Sequence, residues 1–261
     1  MTSPIPVAVL GTGPLADRVA AHPDLVVTEH SPVLLHLSPD PAELPALLRA
    51  GRNVVTALPR HDLPLAELAA AAAAGKATLH ATGGHQSAVA ARLTRSLAAA
   101  TREITRIELI EEIVLPDLDT DPERARAAAE AVAGNYVDGL HTLADGAFGW
   151  RGTEDPAVSI EVTTDGPGAV VTADLGDRIR YRSIRSATGS VPLRYRLVTT
   201  SAAGTGTATV DFHPVDGVPP AEHLALVELL NAARAIDASP PGIALRDLAI
   251  TYLVRDDRLA R

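Results

Sequence analysis

The chain has 261 residues, 46% of them hydrophobic, enough to bury the core of one large or two modest domains. It contains no cysteine, which excludes disulfides, thiolate metal sites and cysteine nucleophiles. Its formal net charge of −9 argues against a nucleic-acid partner, because phosphate binding needs a basic face.

The opening MTSPIPVAVLG has neither a basic stretch nor a long apolar run, so no signal peptide is expected. Residues 63–74 form the longest apolar stretch, which contains Glu67 and is too short to span a bilayer. A soluble, cytoplasmic protein without a membrane partner is the expectation. Lys76 is the only lysine and reads as a solvated turn residue after an alanine-rich helix.

The first part of the chain alternates short apolar runs with helical patterns. VAVLG at 7–11 reads as a buried parallel strand, and 14–21 as a helix with Leu15, Val19 and Ala20 on one face. Between them, Gly11, Thr12, Gly13, Pro14, Leu15 and Ala16 match G-x-G-x-x-G/A. The first glycine permits a tight turn and the second admits a pyrophosphate to the backbone. The small last residue lets helix and strand pack closely. In this strand–turn–helix context the motif is a candidate site for NAD or NADP; a turn that needs glycine for shape alone is the alternative.

Residues 25–29 look like the second strand of a nucleotide-binding unit. Glu29 falls 18 residues after Gly11, near the place where an acid holds the adenosine ribose and favours NAD over NADP. The next apolar run, 32–38, follows almost at once. A parallel neighbour would need a crossover of about a dozen residues, so the usual helix–strand–helix unit is missing. Either 25–29 is a short edge segment, or the two runs form a bend or hairpin. In both cases the sheet should have fewer than six strands and the adenosine end should be open. Cofactor binding is then weak, absent, or completed by another subunit. Further on, 41–50 reads as a helix, 52–58 as a strand, 63–74 as a helix closed by Gly75, and 77–83 as a strand. That repetition of β-α-β predicts a parallel sheet.

The pattern changes after a helix at 86–100. Residues 104–115 alternate like a strand, and 124–132 and 136–148 read as helices. The runs 158–164, 169–176, 178–186 and 192–200, with a fifth around Thr207, read as one mostly antiparallel sheet. The acid-rich 116–123 is most simply a solvated loop, and 221–236 is a helix returning toward the first part. The expected fold class is α/β. Residues 1–85, completed by 219–261, form a trimmed Rossmann-like parallel sheet, and 86–218 form a second α+β domain. Arg178, Arg180 and Arg182 alternate with Ile179 and Tyr181, and Arg194 and Arg196 share that pattern. They make either a basic face for an anionic substrate or a solvated, salt-bridged face.

Several stretches carry a family resemblance. VAVLGTGPLA resembles the cofactor turn of the dihydrodipicolinate reductase-like oxidoreductases, especially the branch of 2,4-diaminopentanoate dehydrogenase and native amine dehydrogenases. AGRNVVTAL followed by HATGGHQS resembles the paired strand ends that wall the nicotinamide, where relatives read much like A-T-G-x-N-P-G. NAARAIDASPPGIALRDL, residues 231–248, resembles the family's C-terminal helix and its A-P-P-G turn. GLHTLADGAFGW at 139–150 resembles a helix of the substrate domain. The resemblance implies an NAD(P)-dependent oxidoreductase acting on a small C=N or C=O substrate, an amine or imine. A homo-oligomer formed through the substrate-domain sheet is also expected. Two departures stand out. Amine dehydrogenase relatives carry an acid after the strand matching RNVVTAL, where this chain has Pro59, Arg60, His61 and Asp62. The His-His…Lys…Ser-Gly-Thr motif of true dihydrodipicolinate reductases is replaced by LIEEIVLPDLD, so dihydrodipicolinate is not the expected substrate.

In an open α/β sheet the site lies at the carboxyl ends of the strands, which here carry Ser38, Thr56, Thr82, Gly83 and His85. His85 stands where relatives have asparagine. Its imidazole is suited to pass a proton as hydride reaches carbon, or merely to hydrogen-bond the loop. His61, His141 and Asp62 are further candidates. Glu111 and Glu112, one of which must face inward, and Asn135 are candidates for holding substrate. His36 and His80 lie inside apolar strands and read as core or wall residues. The histidines show no HExxH or H-x-H pairing, so no metal site is expected. Two other classes compete: a cofactor-independent, non-redox enzyme using the interdomain cleft for isomerisation, cyclisation or elimination, and a binding or scaffold protein.

Overall fold

A computed structural model describes residues 4–98, 101, 103–118, 121–149, 158–165 and 168–244. The first elements are β1 (Ile5–Leu10), α1 (Pro14–Ala21), β2 (Leu25–Val27), β3 (Val33–His36), α2 (Leu44–Arg49), β4 (Asn53–Thr56), α3 (Leu65–Gly75), β5 (Thr78–Ala81) and α4 (His85–Ala98). There follow β6 (Ile104–Val114), α5 (Pro122–Glu130), α6 (Ala133–Phe148), β7 (Val158–Asp165), β8 (Gly168–Leu175), β9 (Ile179–Ser186), β10 (Leu193–Ser201), β11 (Gly204–Phe212), α7 (Pro220–Ile236) and β12 (Gly242–Ile243). The chain divides into two units, Met1–His85 with Leu224–Arg261, and Gln86–His223. The end of the C-terminal motif and Trp150 lie outside the described residues.

In the first unit the strand order is β12–β5–β4–β3–β1–β2, and every pairing is parallel. The expectation of fewer than six strands is thus corrected: β12, from the C-terminal part, supplies the sixth. The two edge strands are short, with three residues in β2 and two in β12.

The connection between β2 and β3 shows how the chain manages without a full crossover. Full-height neighbours on one side of β1 would need a crossover of about a dozen residues. Instead β2 and β3 lie on opposite sides of β1, and each uses half of it. Ile5–Val7 pair with β2, and Ala8–Leu10 pair with β3. The chain therefore crosses β1 at mid-height and need not return a strand length. Ser31 fastens the crossing: its hydroxyl donates to the Pro6 carbonyl at 2.7 Å and accepts the Val33 N–H at 3.1 Å. Of the sequence alternatives, the short edge segment is the one the fold adopts.

Both faces of this sheet are covered, which is why its strands read as unbroken apolar runs. Val7, Val33, Leu35 and Val55 pack with Leu229, Leu230 and Ile236 of α7. Ala8, Leu34, Val54 and Leu79 pack with Leu44 and Leu48 of α2 and Leu68 and Ala72 of α3. Gly75 does not close α3 as expected; the left-handed cap is Lys76, with φ +53°. Gly75 serves packing instead, since a Cβ there would lie 1.8 Å from the Leu48 carbonyl oxygen.

The second unit carries the order β11–β10–β6–β9–β8–β7, antiparallel except for β6 beside β9. Alternation sends Leu109, Tyr181, Tyr195 and Leu197 into the core under α6, and Arg180, Arg182, Arg194 and Arg196 to the other face. There Arg180 pairs with Asp174 at 2.7 Å and Arg194 with Asp211 at 2.6 Å. For these two the salt-bridged reading holds. Among the described residues no helix is long and apolar enough to cross a membrane.

Candidate functional site

The chain places β2 on one side of β1 and β3 on the other, so the strand order reverses between β1 and β3. Ligands of open α/β sheets bind outside the carboxyl ends at such a reversal. Gly11 to Ala16 stand there. Gly11 has φ +123°, and a Cβ on it would come 2.7 Å from the Leu37 carbonyl carbon. Only glycine lets the turn pass so close to the end of β3. Gly13, with φ +110°, precedes the first turn of α1, and a Cβ on it would meet nothing within 4 Å. Pro14 has no N–H, and the Asp17 N–H is bonded to the Gly13 carbonyl at 3.0 Å. The amides of Leu15 and Ala16 are the donors this helix start offers an anion. Open space over a glycine together with two helix-start amides fits a pyrophosphate.

The ends of β3, β4 and β5 are laced together beside this turn. His36 Nδ1 lies 3.0 Å from Thr56 Oγ1, which also accepts the Leu58 N–H at 3.2 Å. Thr82 donates its amide and its hydroxyl to the Thr56 carbonyl at 2.9 and 3.1 Å. The hydroxyls of Thr56 and Thr82, expected at the cofactor, are thus engaged within the protein. Ser38 Oγ accepts the Asp40 N–H at 3.2 Å. Burial lowers the His36 pKa, opposed by the Glu43 carboxylate 4.0 Å from Nε2. A neutral ring that accepts from Thr56 at Nδ1 and keeps its proton on Nε2 suits both neighbours.

The other expected site residues fall in different places. His85 is the first residue of α4 and only 6% exposed, and Gly83 before it takes φ +59°. His61 and Asp62 are exposed in a 3-10 turn, Arg60–Asp62, that follows β4. Glu29 is not brought to the strand ends. β2 stops level with Val7, and the Glu29 main-chain oxygen accepts from Arg52 Nη1 at 3.3 Å, just before β4 begins. Asn135 lies in the first turn of α6. His141 and Asp138 are buried one turn apart on that helix. Glu112 points to the exposed face, 3.8 Å from Arg194.

Glu111 is the inward member of the pair and is wholly buried. Its carboxylate accepts from Ser183 at 2.6 Å, Tyr181 at 3.2 Å, Tyr136 at 3.4 Å, and Tyr195. Burial, reinforced by the Glu111 charge, pushes all three tyrosine hydroxyls to higher pKa. The three tyrosines escaped sequence reasoning. The available signal was an acid on the apolar parity of β6, with Tyr181 and Ser183 on the apolar parity of a neighbouring run. Among the described residues no cluster of three or more His, Asp or Glu side chains is placed to hold a metal ion.

No protein-family description matches the sequence, and no curated protein matches it in sequence. Solved structures share its fold. An amine dehydrogenase from Mycobacterium smegmatis is 15% identical, with a TM-score of 0.65 over 95% of this chain and 96% of that one. GenD2 of gentamicin A biosynthesis, solved in complex with NAD, is 16% identical, with a TM-score of 0.54 over 95% and 91%. A dihydrodipicolinate reductase from Paenisporosarcina, solved with dipicolinate, is 11% identical, with a TM-score of 0.54 over 95% of this chain and 99% of that one. The chain therefore shares the fold of these structures: a Rossmann-like parallel sheet and a second, mostly antiparallel one.

Proposed function

We propose that this protein is an NAD(P)-dependent oxidoreductase acting on a small C=N or C=O substrate. The observation that carries the reading is the Gly11–Gly13 turn at the strand-order reversal, with open space over Gly13 at the start of α1. The dehydrogenase fold and a structural neighbour solved with NAD support it. The nicotinamide, when bound, supplies the hydride chemistry. The chain would hold the pyrophosphate with the Leu15 and Ala16 amides against Gly13. His85 is our choice for the proton donor, and the His141–Asp138 turn of α6 is the next candidate. Either dinucleotide fits the reading, since Glu29 does not reach the strand ends as a ribose clamp. The proposal includes a cytoplasmic location, and self-association through the sheet of the second unit.

The test is titration with NADH and NADPH, followed by nicotinamide fluorescence. Gly13→Asp places a side chain and a negative charge in the open space. It should weaken binding by about tenfold or more, roughly 1.4 kcal/mol. A parent protein that binds neither dinucleotide, or a variant that binds as the parent does, would overturn the reading.

A further inference from the structure

The arginines of the second sheet meet different fates, and one of them is unaccounted for. Arg180 and Arg194 are held by aspartates. Arg178 lies 4.2 Å over the Phe148 ring and donates to the carbonyls of Ile104 and Thr105. Arg182 and Arg196 are exposed on the outer face. Arg185 breaks the alternation. It shares the inward parity of Ile179, Tyr181 and Ser183, and is only partly exposed. Its Nε and Nη1 are buried with no hydrogen-bond acceptor among the described residues.

The described residues around it supply no acceptor. Its cross-strand neighbours, Ile113 on β6 and Ala169 on β8, offer no acceptor side chain. Glu111, one row away, accepts from four hydroxyls. Tyr136 feels both charges: Glu111 raises its pKa and Arg185 lowers it. Buried guanidinium N–H groups without acceptors are costly, and native structures keep few of them unexplained. A planar fork of donors suits a carboxylate. One cation beside a buried acid favours a monoanion over a phosphate dianion.

We propose that Arg185 anchors a carboxylate-binding subsite on the inner face of the second sheet, so that the ligand is a small carboxylic acid. Calling that ligand the substrate rests on the oxidoreductase reading; the subsite itself does not. The substrate would then be a short 2-oxo or 2-imino acid rather than a neutral ketone or amine.

The experiment compares 2-oxobutanoate with 2-butanone by titration calorimetry on the parent, Arg185→Gln, Arg185→Lys and Arg182→Gln. NADH is titrated into the same samples. The parent should bind the acid and not the ketone. Arg185→Gln should weaken acid binding by about tenfold or more, and Arg185→Lys by less. Arg182→Gln removes the same charge from the outer face and should match the parent. Should Arg185→Gln lose the parent's circular dichroism, the lysine variant, which keeps the charge without the fork, decides the matter. Equal binding of acid and ketone overturns the subsite. So does absent acid binding, acid binding unaffected by Arg185→Lys in that case, or equal losses in Arg182→Gln and Arg185→Gln. A parent that binds the acid through Arg185 but binds no NADH would sink the redox reading alone.

Discussion

Replacing Glu111 by leucine tests what the buried carboxylate does for the second unit. The substitution keeps roughly the side-chain volume and removes the acceptor of four O–H groups. Not all four are stranded. The Tyr136 and Ser183 hydroxyls are 3.1 Å apart, and Tyr181 and Tyr195 also interact, so within each pair one donor can be satisfied by the other. Two donors remain, at about 1–3 kcal/mol each, which gives a loss of roughly 2–6 kcal/mol. A domain is stable by only about 5–15 kcal/mol, so the effect is large. Removing a buried charge offsets part of it, which favours the lower half of the range. Urea unfolding followed by circular dichroism reads the change, with the two units fitted as separate transitions. Spectrophotometric titration gives a second reading. Without the Glu111 charge the tyrosines should ionise at lower pH than in the parent, though burial still holds them above their ordinary value. A variant within about 0.5 kcal/mol of the parent, with unchanged tyrosine titration, would refute the reasoning.

Three further outcomes are expected. Tyr136, Tyr181 and Tyr195 have folded pKa values above 10.0, so their contribution is present below pH 10 and lost as pH rises; unfolding should steepen there by up to about 4 kcal/mol per pH unit. Alkaline melting curves of the parent and Glu111→Leu check this, and a flat dependence from pH 10 to 11 would contradict it. His36 has a folded pKa below 6.5, so its contribution is complete above pH 6.5 and lost as pH falls; His36→Gln should flatten acid melting curves between pH 6.5 and 5. Gly75→Ala should lower the melting temperature, because its Cβ meets the Leu48 carbonyl oxygen at 1.8 Å and α2 and α3 must separate, at a cost of about 1–3 kcal/mol or more. A variant that melts with the parent would remove the packing role given to this glycine.

What could be read in advance was whatever is written locally. The β-α-β rhythm and the glycine turn depend on neighbouring residues, and both stand in the structure where the sequence puts them. Properties set by register were hidden. Nothing in residues 25–36 says that β2 and β3 would divide β1 between them, because that is decided by pairing partners twenty residues away. Gly75 carries the usual signature of a helix stop, yet its role is fixed by the backbone of another helix. Of the adjacent acids, parity said that one faces inward, but only the ladder of Tyr195, Glu111 and Ser183 shows which one and what receives it. Arg185 was legible as a break in phase after Ile184 and was passed over because the arginines before it alternate so regularly.

The mid-height crossing also makes the first unit modular. The glycine turn and the lacing of β3, β4 and β5 occupy the upper ends of the strands, whereas the connection from Thr28 to Pro32 works against the lower half of β1. Extra chain inserted beside exposed Glu29 and His30 would leave Ser31 in place and would not touch the turn. Lengthening such a loop is cheap, at about 0.6 kcal/mol for each doubling. The edge of β2, where Val26 and Val27 are 51% and 47% exposed, is unpaired among the described residues and would be the natural place for an inserted strand to add. The β2 edge of this sheet can therefore grow or shrink without disturbing the end at which chemistry is proposed.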